Sequence, residues 1–159
     1  MPAKPDVDAT DRRILRLLAT DGRASYQSVA DEVGLSRPAV MERVKRLEER
    51  GFITGYGARI DRSKAGLPVT AFVAVRYGNP EYLVDEPRMR ELEKHPGVLE
   101  CHHVAGDDCY ILKVAAPDLE GVQTILRQLA GGHQAINTRT TIVLGTLFEK
   151  PGITLPELD

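Results

Sequence analysis

Two regimes of hydrophobic spacing divide the chain. Up to about residue 50 the apolar positions recur at helical intervals; from residue 69 they crowd into short runs rich in valine and aromatics. Ile14, Leu15, Leu17 and Leu18 make a helical stripe in the stretch Asp8–Gly22, with Asp8 as N-cap, Asp11 in the first turn and Gly22 as the stop. Val29, Ala30 and Val33 form a second, shorter stripe, capped by Ser25. Val40, Val44 and Leu47 recur at i, i+4 and i+7 in a third helix, which Ser36 caps, Pro38 enters in the first turn and Gly51 ends. Phe52–Ile60 alternates around glycines and predicts a short strand pair, or wing.

Between the second and third stripes the spacing is that of a helix-turn-helix. Ala30 is small enough for two helices to approach closely. Gly34 is free to take positive φ at the turn, and Val40 anchors the following helix in the core. Such an arrangement turns one face of the third helix inward and leaves the other for a DNA major groove.

The polar stretch Asp61–Pro68 predicts the boundary. Beyond it the pattern reads Val69–Tyr77 strand, Glu86–His95 helix, Val98–Ala105 strand and a hairpin turn at Gly106-Asp107-Asp108. Cys109–Ala116 follows as a strand, then a helix carrying Leu119, Val122, Ile125, Leu126 and Leu129, then a strand over Ile136–Phe148. The order β-α-β-β-α-β predicts a ferredoxin-like sheet with helices on one face. Val73 and Val75 lie on one side of its first strand, and Phe72 and Ala74 on the other, so a second copy of the chain is expected to cover the open face. The predicted class is α+β. A winged helix-turn-helix domain spans 1–60, a linker 61–68, a βαββαβ domain 69–150 and a tail 151–159.

Charge sharpens this division. The net charge of −2 says little, but residues 1–64 hold 13 Lys and Arg against 10 Asp and Glu, while residues 65–159 hold 8 against 13. A basic half ahead of an acidic half fits one domain meeting phosphate and another doing different work. A hydrophobic content of 42% and a charged content of 28% place the chain among soluble globular proteins. The first residues lack the apolar core of a signal peptide and no run is long enough for a membrane span, so a cytoplasmic location is expected.

On the third helix, Arg37, Pro38, Met41, Lys45 and the Ser36 hydroxyl lie at or near the exposed side. Arginine discriminates guanine by bidentate bonds to O6 and N7, worth roughly 1–3 kcal/mol. Arg23, Ser25, Tyr26, Lys45 and Arg46 suit phosphate. The bland alternative is a solvated helix face, with Glu42, Glu48 and Glu49 neutralising the cations; the turn in front of the helix weighs against it. Arg43 is expected to be structural, pairing with an acidic neighbour.

The motifs Asp11-Arg-Arg-Ile-Leu, Asp21-Gly-Arg, Val33-Gly-Leu-Ser, Arg43-Val-Lys-Arg-Leu-Glu and Gly51-Phe-Ile-Thr-Gly-Tyr run through the first half. Gly97-Val, Val104-Ala-Gly-Asp, Tyr110-Ile-Leu-Lys-Val and Thr138-Arg-Thr-Thr-Ile-Val-Leu continue through the second. Together, from about Asp8 to Lys150, they resemble the Lrp/AsnC family of transcription regulators, the feast/famine regulatory proteins. The resemblance implies double-stranded DNA as partner, a RAM/ACT-like C-terminal domain that binds an amino-acid effector, and homodimers assembling to octamers in a nucleoid-associated setting. No cofactor and no enzymatic activity are expected, because the basic reader helix is intact and no convincing catalytic pair is present. Many members carry an aspartate before the tyrosine of the third strand; Cys109 stands there in this chain.

The effector candidates are Gly106, Asp107, Asp108 and Cys109, with Thr138, Thr140 and, on the opposite face, Thr141. Two carboxylates on a turn suit an ammonium group, while backbone N–H groups and hydroxyls suit a carboxylate. The bland reading is a hairpin in which aspartate serves turn geometry. Cys101, His102, His103, Asp107, Asp108 and Cys109 invite a metal site. However, His102 and His103 point to opposite faces of a strand, and pairing about the turn sets Cys101 near Lys113, away from Cys109. No metal is expected. Two other functions compete: a nucleoid organiser of low sequence preference, and an enzyme resembling the sirohaem decarboxylases, in which the paired histidines would act.

Overall fold

A computed structural model describes residues 7–77, 86–131 and 136–150; the tail expected over 151–159 lies outside them. Contacts divide the chain into two compact units, Met1–Arg59 with Phe148–Asp159, and Ile60–Leu147.

The first unit holds three helices, α1 (Ala9–Thr20), α2 (Tyr26–Val33) and α3 (Arg37–Glu49). Each begins on a side-chain cap: Asp8 accepts from the Asp11 N–H, Ser25 from Ser28 and Ser36 from Ala39. Gly34 has φ +72° and the Leu35 N–H donates to the Ala30 carbonyl, which makes the tight turn between α2 and α3. At the end of α3, Gly51 again has φ +72°, and the N–H groups of Gly51 and Phe52 donate to the carbonyls of Glu48 and Leu47. That double closure is a Schellman motif. Ile14, Val29, Ala30, Val40, Val44 and Leu47 form the buried core, with Leu15, Leu18 and Ile53 packed against it.

The strand pair expected over Phe52–Ile60 is absent. No residue there is in a strand; the Tyr56 hydroxyl instead donates to Glu48 Oε1 at 2.9 Å. A side chain tied to α3, flanked by Gly55 and Gly57, takes the place of a ladder.

The second unit opens on a hydrogen-bonded turn where a plain linker was expected. The N–H groups of Ala65 and Leu67 donate to the carbonyls of Asp61 and Arg62, and Gly66 takes φ +84°. Four antiparallel strands follow, β1 (Val69–Tyr77), β2 (Val98–His103), β3 (Tyr110–Ala116) and β4 (Ile136–Ile142), in the order β2-β3-β1-β4. Helix α4 (Glu86–Glu91), continued by a 3₁₀ turn over Leu92–Lys94, and α5 (Leu119–Ala130) complete the βαββαβ unit. Ala71, Val73, Val75, Leu112 and Val114 meet Met89, Val122, Ile125 and Leu129 in the core, so the helices cover one face.

Register assigns the opposite face. Opposed residues share a side of the sheet. Phe72 pairs with Lys113 and Thr141, Ala74 with Ile111 and Arg139, and Glu100 and His102 with Lys113 and Ile111. These lie away from the helices, and Phe72 is 43% exposed. β4 stops at Ile142, six residues before the expected end, because the register with β1 ends at Ala71. Beyond it Leu144, Leu147 and Phe148 stand exposed.

Candidate nucleic-acid interface and effector turn

The helix-turn-helix is fixed by a partly buried ion-pair network. Arg43 Nη1 donates to Asp8 Oδ2 at 2.6 Å and Asp11 Oδ1 at 2.7 Å, joining α3 to the start of α1. The capping Asp11 N–H and Arg43 together hold the Asp8 carboxyl below its usual range, and the two carboxylates raise the Arg43 guanidinium. Arg43 is therefore a structural cation, as expected from the sequence. Arg13 adds a second tie from α1 to the Glu32 carbonyl of α2. Burial and the Glu48 carboxylate push the Tyr56 hydroxyl up to about 12, so it stays a donor to α3 at any physiological pH.

With these contacts made, the other cations of α3 are left to solvent. Arg37, Met41, Lys45 and Arg46 are exposed, and Arg37 and Arg46 have no side-chain partner among the described residues. Lys45 lies 3.7 Å from Glu49. Ser36 and Pro38 are exposed at the helix start, where the Ser36 oxygen is engaged by the Ala39 N–H and its own O–H remains available. Ser25 and Tyr26 are exposed at the start of α2, and Ser25 Oγ is likewise a cap. Arg23 lines a groove of about 670 Å³ with Tyr56 and Arg59. All nine sequence-derived DNA candidates thus sit at the surface of one unit.

The effector candidates divide. Gly106, with φ +136°, and Asp107 are exposed, and Asp108 is half-buried. Cys109 belongs to the core: its side chain is buried, and its N–H donates to the Val75 carbonyl at 2.8 Å. It anchors the turn from beneath. Thr138 and Thr140 oppose Val75 and Val73 and lie on the helix-covered face; Thr141 opposes Phe72 on the other.

The sequence did not single out Arg76 and Arg139. Arg139 Nη2 donates to Asp108 Oδ2 at 2.9 Å, and Arg76 lies 3.7 Å from Asp107. Both carboxylates of the turn are therefore matched by guanidinium groups from β1 and β4. The β1–β3 register brings Arg76 to the turn, and the β1–β4 register, across more than sixty residues of chain, brings Arg139.

Around β2, His102 and His103 oppose Ile111 and Tyr110 and so face opposite ways, and Cys101 opposes Leu112, one residue from the expected partner. His103 stacks on Tyr110 at 4.9 Å, lining a cavity of about 510 Å³ with Met89, Glu93 and Cys101. Burial alone raises Glu100, but bonds from His102 and Lys113 outweigh it and hold the carboxyl low. Among the described residues no group of three His, Cys, Asp or Glu side chains is placed to hold a metal, and no helix is long and apolar enough to cross a membrane.

A capped three-helix reader and a βαββαβ sheet define a helix-turn-helix transcriptional regulator with a ligand-binding domain. Residues 7–48 match the AsnC-type helix-turn-helix domain and residues 70–153 the Lrp/AsnC ligand binding domain. The chain is 37% identical over 143 residues to the HTH-type transcriptional regulator LrpA of Mycobacterium tuberculosis, covering 89% of this chain and 93% of the relative. It is 35% identical over 140 residues to the leucine-responsive regulatory protein of Escherichia coli, covering 87% and 85%. Its fold is similar to a crystal structure of a feast or famine regulatory protein from M. tuberculosis complexed with L-methionine (TM-score 0.81, 36% identity, 89% and 95% covered). The chain belongs to the Lrp/AsnC family of transcriptional regulators.

Proposed function

We propose that this regulator reads DNA in a sequence-specific way through α3 and responds to a free amino acid at its C-terminal domain. Residues 1–60 form the reader, 61–68 the connection and 69–150 the effector-binding and oligomerising part. The observation that carries the DNA reading is the division of labour on α3. Arg43 is consumed by Asp8 and Asp11, while Arg37 and Arg46 are exposed with no side-chain partner among the described residues, on the same helix as Met41 and Lys45. Arg37 reads base edges with Ser36, Pro38 and Met41, and Arg23, Ser25, Tyr26, Lys45 and Arg46 hold phosphates.

The effector reading places the ligand at Gly106, Asp107 and Asp108, above Cys109, with hydroxyls from Thr138, Thr140 or Thr141. A relative complexed with L-methionine supports an amino acid as its class. The open sheet face, with Phe72 exposed, and the apolar Leu144, Leu147 and Phe148 support a homodimer, which assembles to octamers. The protein acts in the cytoplasm, on the nucleoid, as a binding protein and not as an enzyme.

Arg37→Ala tests the reader. Fluorescence anisotropy with operator and scrambled duplexes is expected to show discrimination falling by about 5- to 150-fold, the equivalent of roughly 1–3 kcal/mol. The oligomer should stay intact by light scattering. Unchanged discrimination would remove Arg37 from the reading set. Discrete footprints mark a local regulator, whereas broad wrapped protection marks a nucleoid organiser.

A further inference from the structure

The acidic residues of α3 are unequally placed. Glu48 accepts the Tyr56 hydroxyl at 2.9 Å, and Glu49 lies 3.7 Å from Lys45. Glu42 is exposed and has no hydrogen-bond or ion-pair partner among the described residues. On a helix of about 3.6 residues per turn, Val40, Val44 and Leu47 mark the core stripe. Glu42 falls opposite that stripe, between Pro38 one turn before it and Lys45 one turn after. Arg46 lies to one side of this line and Met41 to the other, with Arg37 nearer the core stripe. The residues most directly outward on the reader helix are therefore two carboxylates, Glu42 and Glu49, of which Glu49 lies by Lys45 and Glu42 stands alone among the described residues.

An outward carboxylate is repelled by phosphate, and although Lys45 and Arg46 lie one turn after this one, neither is bonded to it among the described residues. It contributes to DNA binding only if it meets a hydrogen-bond donor in the groove. The major groove offers two, the exocyclic amines of cytosine and adenine. Adenine sets its N7 acceptor beside the amine, which opposes the second carboxylate oxygen. Cytosine presents its N4 amine with no acceptor of its own beside it.

We propose that Glu42 is a specificity-determining residue that accepts a hydrogen bond from cytosine N4. The proposal rests on the DNA-binding reading of α3. It makes recognition partly negative: a thymine at this position turns its O4 acceptor toward the carboxylate and is rejected.

Selection from a duplex library with a randomised centre, using the full-length protein and its Glu42→Ala and Glu42→Gln variants, tests this. Wild type is expected to select sites with cytosine at one position in each half-site. Glu42→Ala should lose that preference by about 5- to 150-fold, while affinity for random duplex rises. Glu42→Gln should move the preference toward adenine, whose N6 and N7 a glutamine amide pairs in bidentate fashion. Melting temperatures should match wild type, since the side chain is exposed and unbonded. If both variants select the same bases as wild type with the same discrimination, Glu42 is not a reader and the proposal falls. If wild type itself selects no sites, the DNA-reading assignment of α3 fails with it.

Discussion

Leu47→Ala is expected to unfold the reader. Leu47 is 1% exposed at the centre of the core made by Ile14, Val29, Val40 and Val44. Truncating a buried leucine removes transfer energy and leaves a cavity, together costing about 2–5 kcal/mol. A unit of this size has little to spare, since stability runs at about 0.05–0.15 kcal/mol per residue. The Leu47 carbonyl also receives the Phe52 N–H that closes α3, so loosening the residue frays the helix end. Circular dichroism should show helix signal melting at lower temperature, with operator binding lost. The sheet of the second unit should persist, because its core shares no residue with this one. A variant that melts and binds like wild type would contradict the packing described.

Gly97→Ala should damage the second unit. A Cβ there falls 2.6 Å from the Ala115 carbonyl oxygen, 3.0 Å from Ile125 Cδ1 and 3.2 Å from His95 Cε1. The nearest obstacle is backbone inside β3, and the Ala115 N–H donates to the Gly97 carbonyl at 2.8 Å, so neither side yields easily. Overpacking costs about 1–3 kcal/mol, and a backbone obstacle places this case toward the upper end. Urea denaturation should show a lower midpoint for the sheet transition. Close approach alone makes the glycine necessary here, since Gly97 is not among the positive-φ glycines.

What was legible beforehand follows interaction range. The caps at Asp8, Ser25 and Ser36, the left-handed Gly34 and the stop at Gly51 depend on neighbours within four residues, and the sequence states them directly. The βαββαβ order was readable because the strand and helix periods differ. Arg43 was recognisable as structural, but its partners lie 35 and 32 residues away, and only the fold selects Asp8 and Asp11. The turn at Gly106–Asp108 was legible as a turn, yet its arginines were not, because β1 reaches β3 and β4 through registers that no local pattern encodes. The β1–β4 register also parts Thr141 from Thr138 and Thr140. Cys109, an effector candidate at the start of the third strand, is buried in the core beneath the turn. Phe52–Ile60 alternates like a strand, but alternation supplies no partner, and Tyr56 found one through its side chain.

The arginines bear on how an effector acts. Asp107 and Asp108 are not bare carboxylates waiting for an ammonium group. Each sits by a guanidinium; the Arg76–Asp107 pair is exposed on both sides, and such pairs are worth only about 0–1 kcal/mol, so its exchange for a ligand's charges costs little. Arg139 lies on the open face, where the second copy is proposed to pack. A change at Asp108 thus reaches the proposed dimer face through one side chain.

The most direct test of an amino-acid-responsive DNA reader is anisotropy of an operator duplex titrated with the full-length protein, in the presence of each of the twenty amino acids in turn. The account predicts salt-sensitive binding whose apparent Kd or stoichiometry shifts with at least one amino acid, and that the shift is lost in Asp108→Asn. Binding that no amino acid alters would contradict it.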